Sequence, residues 1–559
     1  LHFERASYFT EIWLNGHYLG SHEGAWLPFS VPTEEHLHPD SNTLVLRIVF
    51  PGQHAGDADL NPASLPYYGE TGSTGGLLGA VSLLAYPSAH IDSIFVQPDL
   101  RRARLAVDVS CTGGTAKTEI VLRVKDTDYS VTGKPGALLL PMPDFQAWTP
   151  EKPHLYRLEV LLKDGRKTVD AEALSFGMRE FTLKDNRFHL NQRPLFIKAR
   201  ACFAAPWLSL EKTARLQTFR QFIAESRDAG FNMITLTGHP VPEDFLCVAD
   251  EEGMLLSVES SLRPMTASDR LEQRCEDAVT DMIRNGRNHA SLVLWRLFNE
   301  ERTRAAETGN AARALSDRLF TLARELDPSR LIFAGGAHAD SSDAKLLRPY
   351  RSTPEPYDDL FFCPTDPVPE NRTRYLQCCG AAGKLAIISG MTSFQTAEHS
   401  EEDDTLHADF DQRGLNRIFG SLAAFNDLTD ESAKTFVAAQ IQAMRANSKI
   451  AGYFHAFPES SGCTSEKPNA LEIVAAAQAP LLPLISLEKS NLHPREATGV
   501  TIQMIGDPGQ GGSADLSLQV IGPTGQVLWK KKRHTKLPRH GQLLWSGSIG
   551  GSGALGLHR

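Results

Sequence analysis

A chain of 559 residues is too long for one hydrophobic core, and its length points to roughly three to five domains. At 41% hydrophobic and 22% charged residues it has a globular composition, and its formal net charge of −10, spread along the chain, argues against nucleic acid or an anionic membrane as the main partner. No run of about 18 apolar residues occurs, so no membrane-spanning helix is expected.

Residues 1–88 alternate apolar and polar side chains, as in "YFTEIWLNGHYLGSH" and "NTLVLRIVF". The Asn15-Gly16 pair between apolar runs predicts a tight hairpin, and the pattern as a whole predicts an antiparallel sandwich. The chain opens on Leu1 inside this patterned segment, so the sandwich is expected to be truncated at its N-terminal side. Any signal peptide would then lie outside the sequence, and cytoplasmic, periplasmic and secreted locations are not separated. Residues 89–180 repeat the alternation with "ARLAVDVSC", "TEIVLRVKD" and "LYRLEVLLKD", predicting a second, immunoglobulin-like sandwich.

The pattern changes over residues 181–484. Short apolar runs ("PLFIKARA", "FNMITLTG", "GMLLSVES", "SLVLWRLFNE", "RLIFAGG", "DLFFCP", "KLAIISG", "KIAGYFHAF") now alternate with amphipathic helical stretches. Eight such units predict a (β/α)8 barrel, with the sixth strand placed near residues 359–383. Residues 485–559 return to alternation and predict a C-terminal sandwich. The fold class is therefore multidomain β plus α/β. The eight cysteines (Cys111, Cys202, Cys247, Cys275, Cys363, Cys378, Cys379 and Cys463) show no metal-ligand spacing, and no metal site is expected from them.

Several ungapped motifs in this order resemble glycoside hydrolase family 2. "IWLNGHYLGSHEGAWLPFSV" is similar to that family's jelly-roll sugar-binding sandwich, and "AWTPEKPHLYRLEV" with "SFGMRE" to its immunoglobulin-like domain and the exit into the barrel. "FLCVADEEGMLLSVES" resembles the third barrel unit, and "RNHASLVLWRLFNE" matches the family signature apart from Ala290, where Pro is usual.

The resemblance implies hydrolysis of a terminal β-linked sugar, such as a galactoside, glucuronide or mannoside. Glu300, at the C-terminal end of strand four, takes the general acid/base role, and Asn299 holds the neighbouring sugar hydroxyl. His239 and Glu259, after strands two and three, fall where the family contacts sugar, and His455, Trp207 and Tyr357 are candidates for lining the mouth. A retaining mechanism also needs a carboxylate nucleophile about 5–5.5 Å from the acid. The family supplies it on strand seven, where this chain has Ser389-Gly390. The first carboxylate after Lys384 is Glu398, in the acidic run "AEHSEEDD", whose simplest reading is a solvated loop.

Two more family features are missing. Thr235 stands where an arginine usually fixes the site carboxylates, and Ala456 stands near the usual strand-eight aromatic, a place Tyr453, Phe454 or Phe457 could fill. Glu259 facing Glu300 across a water is the inverting alternative. The second reading is a relative that binds carbohydrate without turnover. No cofactor is called for, a bound divalent or monovalent cation is left open, and the expected partner is a carbohydrate. A homo-oligomer is compatible with the sequence.

Overall fold

The computed structural model describes residues 1–49, 75–185, 187–262, 268–298, 305–333, 345–347, 386–391, 450–455, 468–487, 496–507, 513–521, 526–536 and 542–550, with a few helical residues between 412 and 445. In the N-terminal part, Phe9–Leu14 lies between His17–Glu23 and Leu44–Val49 in an antiparallel sheet. The hairpin forms at Asn15-Gly16, where both residues take positive φ (52° and 84°), a conformation Asn and Gly reach with least strain.

Two antiparallel sheets follow. One joins His90–Asp99, Arg104–Thr112 and Gly136–Pro141; the other joins Ser130–Gly133, Thr118–Val124, Tyr156–Asp164 and Lys167–Phe176. Alternate residues of both, among them Leu105, Val107, Leu122, Val160 and Phe176, meet in a shared core.

The barrel strands are Ile197–Cys202, Met233–Leu236, Leu255–Glu259, Leu292–Arg296, Leu331–Phe333, Lys345–Leu347, Ala386–Met391 and Ile450–His455. They form one parallel sheet in the spatial order five-four-three-two-one-eight-seven-six, so strand one pairs with strand eight and the sheet curls into a barrel. The sixth place is taken by Lys345–Leu347, upstream of the expected 359–383, which lies outside the described residues. Three residues are too short a run for periodicity to detect.

Side chains of the first five strands and the eighth sort into two layers. Ile197, Ala199, Met233, Leu255, Leu294, Phe333 and Phe454 face inward, whereas Ile234, Leu256, Val258, Leu292, Trp295 and Ile332 face the helices through Phe219, Phe245, Val279 and Met282. Burial on both sides is why these strands read as continuous apolar runs, each fully buried aliphatic side chain contributing about 1.5–3 kcal/mol.

At the C-terminal end, Leu481–Leu487, Ala497–Gly506 and Gln542–Gly550 form one sheet, whose first strand begins ahead of residue 485; Ser513–Ile521 and Val527–Lys536 form another. Asp507 anchors this part to the barrel by pairing with buried Lys198 of strand one at 2.9 Å and with Arg445 at 3.0 Å.

Candidate active site at the barrel mouth

Strands two, three and four bring polar groups together at their C-terminal ends, beside Phe454 of strand eight. Arg296, the last residue of strand four, points inward and is buried. Its Nη1 donates to Thr235 Oγ1 at 2.9 Å, its Nη2 lies 2.6 Å from Glu259 Oε2, and its guanidinium carbon sits 5.1 Å from the centre of the Phe454 ring. Glu259 is fully buried, and its Oε1 accepts the Gly238 N–H at 2.9 Å. A buried carboxylate is tolerated only when paired and hydrogen-bonded, and this one is both.

Strand four thus places a guanidinium beside position 235, with Thr235 as its acceptor. Sequence reasoning overlooked Arg296, although a lone cation inside "LVLWRLF" signalled that something buried awaits it.

The N-terminal sandwich reaches the same end of the barrel. Trp26 stacks on His239 with centroids 3.9 Å apart and planes 12° from parallel, and Glu23 pairs with Arg270 and, at 2.5 Å, with Arg274 at the start of the third helix. His239 bonds Pro240 O through Nδ1 at 2.7 Å, and its Nε2 has no hydrogen-bond partner among the described residues. Burial lowers its pKa to about 4, against the opposing effect of the Pro240 bond, and the nearby Arg5 adds a smaller push downward.

His22 and His455 are also pushed down, to about 4 and about 3, mainly by burial, with Arg200 adding to the effect at His455. Their protons bind to the unfolded chain first. The stability these neutral rings confer is thus present above pH ~6.5 and lost as pH falls from about 6.5 to about 4, and on to about 3 for His455. Each fully buried ring contributes a slope of about 1.4 kcal/mol per pH unit there. His455→Phe should flatten the pH dependence of the melting temperature by about one proton between pH 6.5 and 5. An unchanged slope would mean that His455 is not held neutral.

Two family models match: the glycosyl hydrolases family 2 model over residues 89–179 and that family's TIM-barrel model over residues 224–360. The chain belongs to glycoside hydrolase family 2. A β-galactosidase of Enterobacter cloacae is 25% identical over 374 residues, covering 60% of this family 2 chain and 34% of the relative. A β-glucuronidase of Paenibacillus borealis is 24% identical, covering 58% of the chain and 59% of the relative. The chain thus spans about a third of the length of most of the curated relatives it matches. A crystal structure of a family 2 β-galacturonidase from Eisenbergiella tayi bound to galacturonate superposes with a TM-score of 0.65 at 18% identity, covering 85% of this chain and 86% of that one.

Within the family 2 frame, the sequence-predicted residues fall in three places. Glu259 and His239 lie at the mouth as described. His455 turns the other way: Phe454 before it faces inward, so His455 faces the helices and stacks on Phe231 at 6.4 Å. A register shift around Ala451 hides this alternation from the sequence. Trp207 is likewise packed against Phe222 and Phe219 in the helix layer rather than lining the mouth. Asn299, Glu300, Glu398, Tyr357, Ala456 and Phe457 lie outside the described residues. Of the aromatic candidates on strand eight, Phe454 points inward and Tyr453 packs outward against Phe196. Ser389 and Gly390 are in strand seven, where two residues oppose one between the pairs Ile388–Tyr453 and Met391–His455.

Most of the signature stretch secures strand four at its base. Asn288 accepts the Val96 N–H at 3.0 Å and donates to Ile94 O at 2.8 Å, joining the barrel to the second sandwich. His289 Nδ1 and the Ser291 N–H both bond the buried Asp250 carboxylate at 2.7 Å. Ala290 gives its carbonyl to Arg179 and packs so tightly that a Cβ on Gly177 would come within 2.7 Å of its own.

Proposed function

We propose that this chain acts on the non-reducing end of a β-linked sugar, with the barrel mouth as its binding site and Glu300 as general acid/base. The observation that carries the reading is the buried Thr235–Arg296–Glu259 network, a polar constellation at the C-terminal ends of strands two to four, where barrel enzymes place their chemistry. It fixes the end of the strand from which the chain runs to Asn299 and Glu300. The names of the relatives give the substrate classes to try: β-galactosides, β-glucuronides and β-galacturonides. The four-part division at residues 1–88, 89–180, 181–484 and 485–559 belongs to the same proposal, with His239 and Trp26 walling one side of the mouth and Asn299 holding the sugar hydroxyl.

Gly390 favours a second reading, since glycine offers strand seven no nucleophile: a carbohydrate-binding relative without turnover. Purified chain is assayed on aryl β-galactoside, glucuronide, galacturonide and mannoside beside Glu300→Gln and Glu398→Gln. Under the first reading, Glu300→Gln loses about 10²–10⁴-fold in kcat, the usual worth of a positioned general acid. Loss in Glu398→Gln as well, with a retained product anomer by NMR, makes Glu398 the nucleophile. An inverted anomer assigns attack to water, with Glu259 the carboxylate to test next. Sugar binding with no turnover of any substrate selects the second reading.

A further inference from the structure

The barrel carries a second cluster, on its outer face away from the mouth. Glu243 and Cys247 lie four residues apart on the second helix, Glu243–Glu252, and so on the same helix face. Opposite them His289 enters from the turn before strand four. Glu243 Oε1, Cys247 Sγ and His289 Nε2 all fall within 4.8 Å of one another, with the two helix residues exposed and the histidine buried. We propose that these three residues form a binding site for a borderline-soft divalent cation of the zinc type.

The geometry behind His289 points to a ligand rather than a surface ion pair. Its Nδ1 lies 2.7 Å from Asp250 Oδ2, and its Nε2 lies on the other side, 3.8 Å from Glu243 Oε1. Asp250 is itself held, its Oδ1 accepting the Ser291 N–H at 2.7 Å and its backbone carbonyl the Trp148 Nε1–H at 3.0 Å. A carboxylate that orients the far nitrogen of a histidine is the usual support behind a metal-bound imidazole. One nitrogen, one sulfur and one oxygen form a mixed donor set suited to zinc and leave a fourth position for water.

A cysteine binds a metal as its thiolate, so the metal must displace the Cys247 thiol proton. Zn²⁺ plus Cys–SH gives the zinc thiolate and H⁺, and binding strengthens as pH rises. Cysteine spacing in the sequence could not show this site, because only one of its ligands is a cysteine. It is independent of the sugar chemistry proposed above, since none of its groups lies in the mouth.

The test uses the full chain, stripped with a chelator and titrated with Co²⁺, which reports a thiolate ligand by its near-ultraviolet charge-transfer band. One Co²⁺ per chain with that band, displaced by Zn²⁺, is expected. Loss of an orienting carboxylate alone typically costs 10–100-fold in affinity, so removing a direct ligand in Cys247→Ser should abolish the band and raise Kd by at least ~100-fold. Glu243→Gln, at an exposed helix position, should raise Kd by at least ~10-fold. Zn²⁺ should also raise the melting temperature of wild type but not of Cys247→Ser, since it ties the second helix to the base of strand four. No binding, binding without the band, or a band undiminished in Cys247→Ser each overturns the proposal.

Discussion

Arg296→Met is expected to destabilise the chain by about 3–5 kcal/mol, the cost of leaving a buried carboxylate without its partner. Glu259 has 0% exposure, so water cannot replace the lost guanidinium. Its Oε1 still accepts the Gly238 N–H, but the buried charge loses its Arg296 counter-ion. Methionine fills much of the arginine's volume, so the loss is electrostatic rather than a cavity effect. Glu259→Gln combined with Arg296→Met removes both charges and should recover most of the stability, because a paired buried ion contributes little beyond what neutral packing does. Denaturant unfolding of the wild type, both single variants and the double variant gives the coupling energy. A coupling below ~0.5 kcal/mol would show that the two side chains act independently. Under the proposed function, the same single variant should also abolish sugar binding, since the strand-four end that leads to Glu300 loses its anchor to strands two and three.

The sequence revealed the parts of this protein that depend on neighbours in the chain. The Asn15-Gly16 turn needs only two residues with easy access to positive φ, and the hairpin forms where expected. The barrel strands were legible because burial on both faces leaves unbroken apolar runs such as Leu292 to Trp295. What was not legible depends on pairing between distant segments. Thr235 looked like a lost arginine until strand four delivered Arg296 to it across 61 residues. The inward or outward direction of His455 turns on one irregular residue in strand eight, which no periodicity reports. The signature stretch was read for Asn299 and Glu300 at its end, yet Asn288, His289 and Ser291 bind the second sandwich and Asp250 at the opposite end of the strand. Such a motif identifies a scaffold reliably even when part of the active site has changed, because its bonds hold domains together independently of turnover.

Arg330 is a sensitive position at the barrel base. Its Nη1 meets Asp327 Oδ2 at 2.9 Å, its Nε donates to Leu292 O at 2.7 Å, and its Nη2 donates to His289 O at 2.7 Å. One guanidinium thus binds the fifth unit to both ends of the turn that starts strand four. Asp327 has 0% exposure and also accepts Trp295 Nε1–H at 2.8 Å and the Ser329 hydroxyl at 2.6 Å. Burial alone would raise its pKa, but Arg330 first, then Ser329 and Trp295, outweigh that and hold the carboxyl below its ordinary value. In Arg330→Met the carboxylate keeps its neutral donors and loses its counter-charge, while the His289 and Leu292 carbonyls lose their Arg330 donors and Leu292 O retains Arg179. The expected loss is again about 3–5 kcal/mol. Asp327 should then titrate upward, so the variant's stability should recover part of its deficit as pH falls toward the new carboxyl pKa. Trp295, fully buried with its indole N–H on that carboxylate, supplies a fluorescence probe of the change. A variant within ~1 kcal/mol of wild type at neutral pH would show that the base of strand four is held by packing and not by this network.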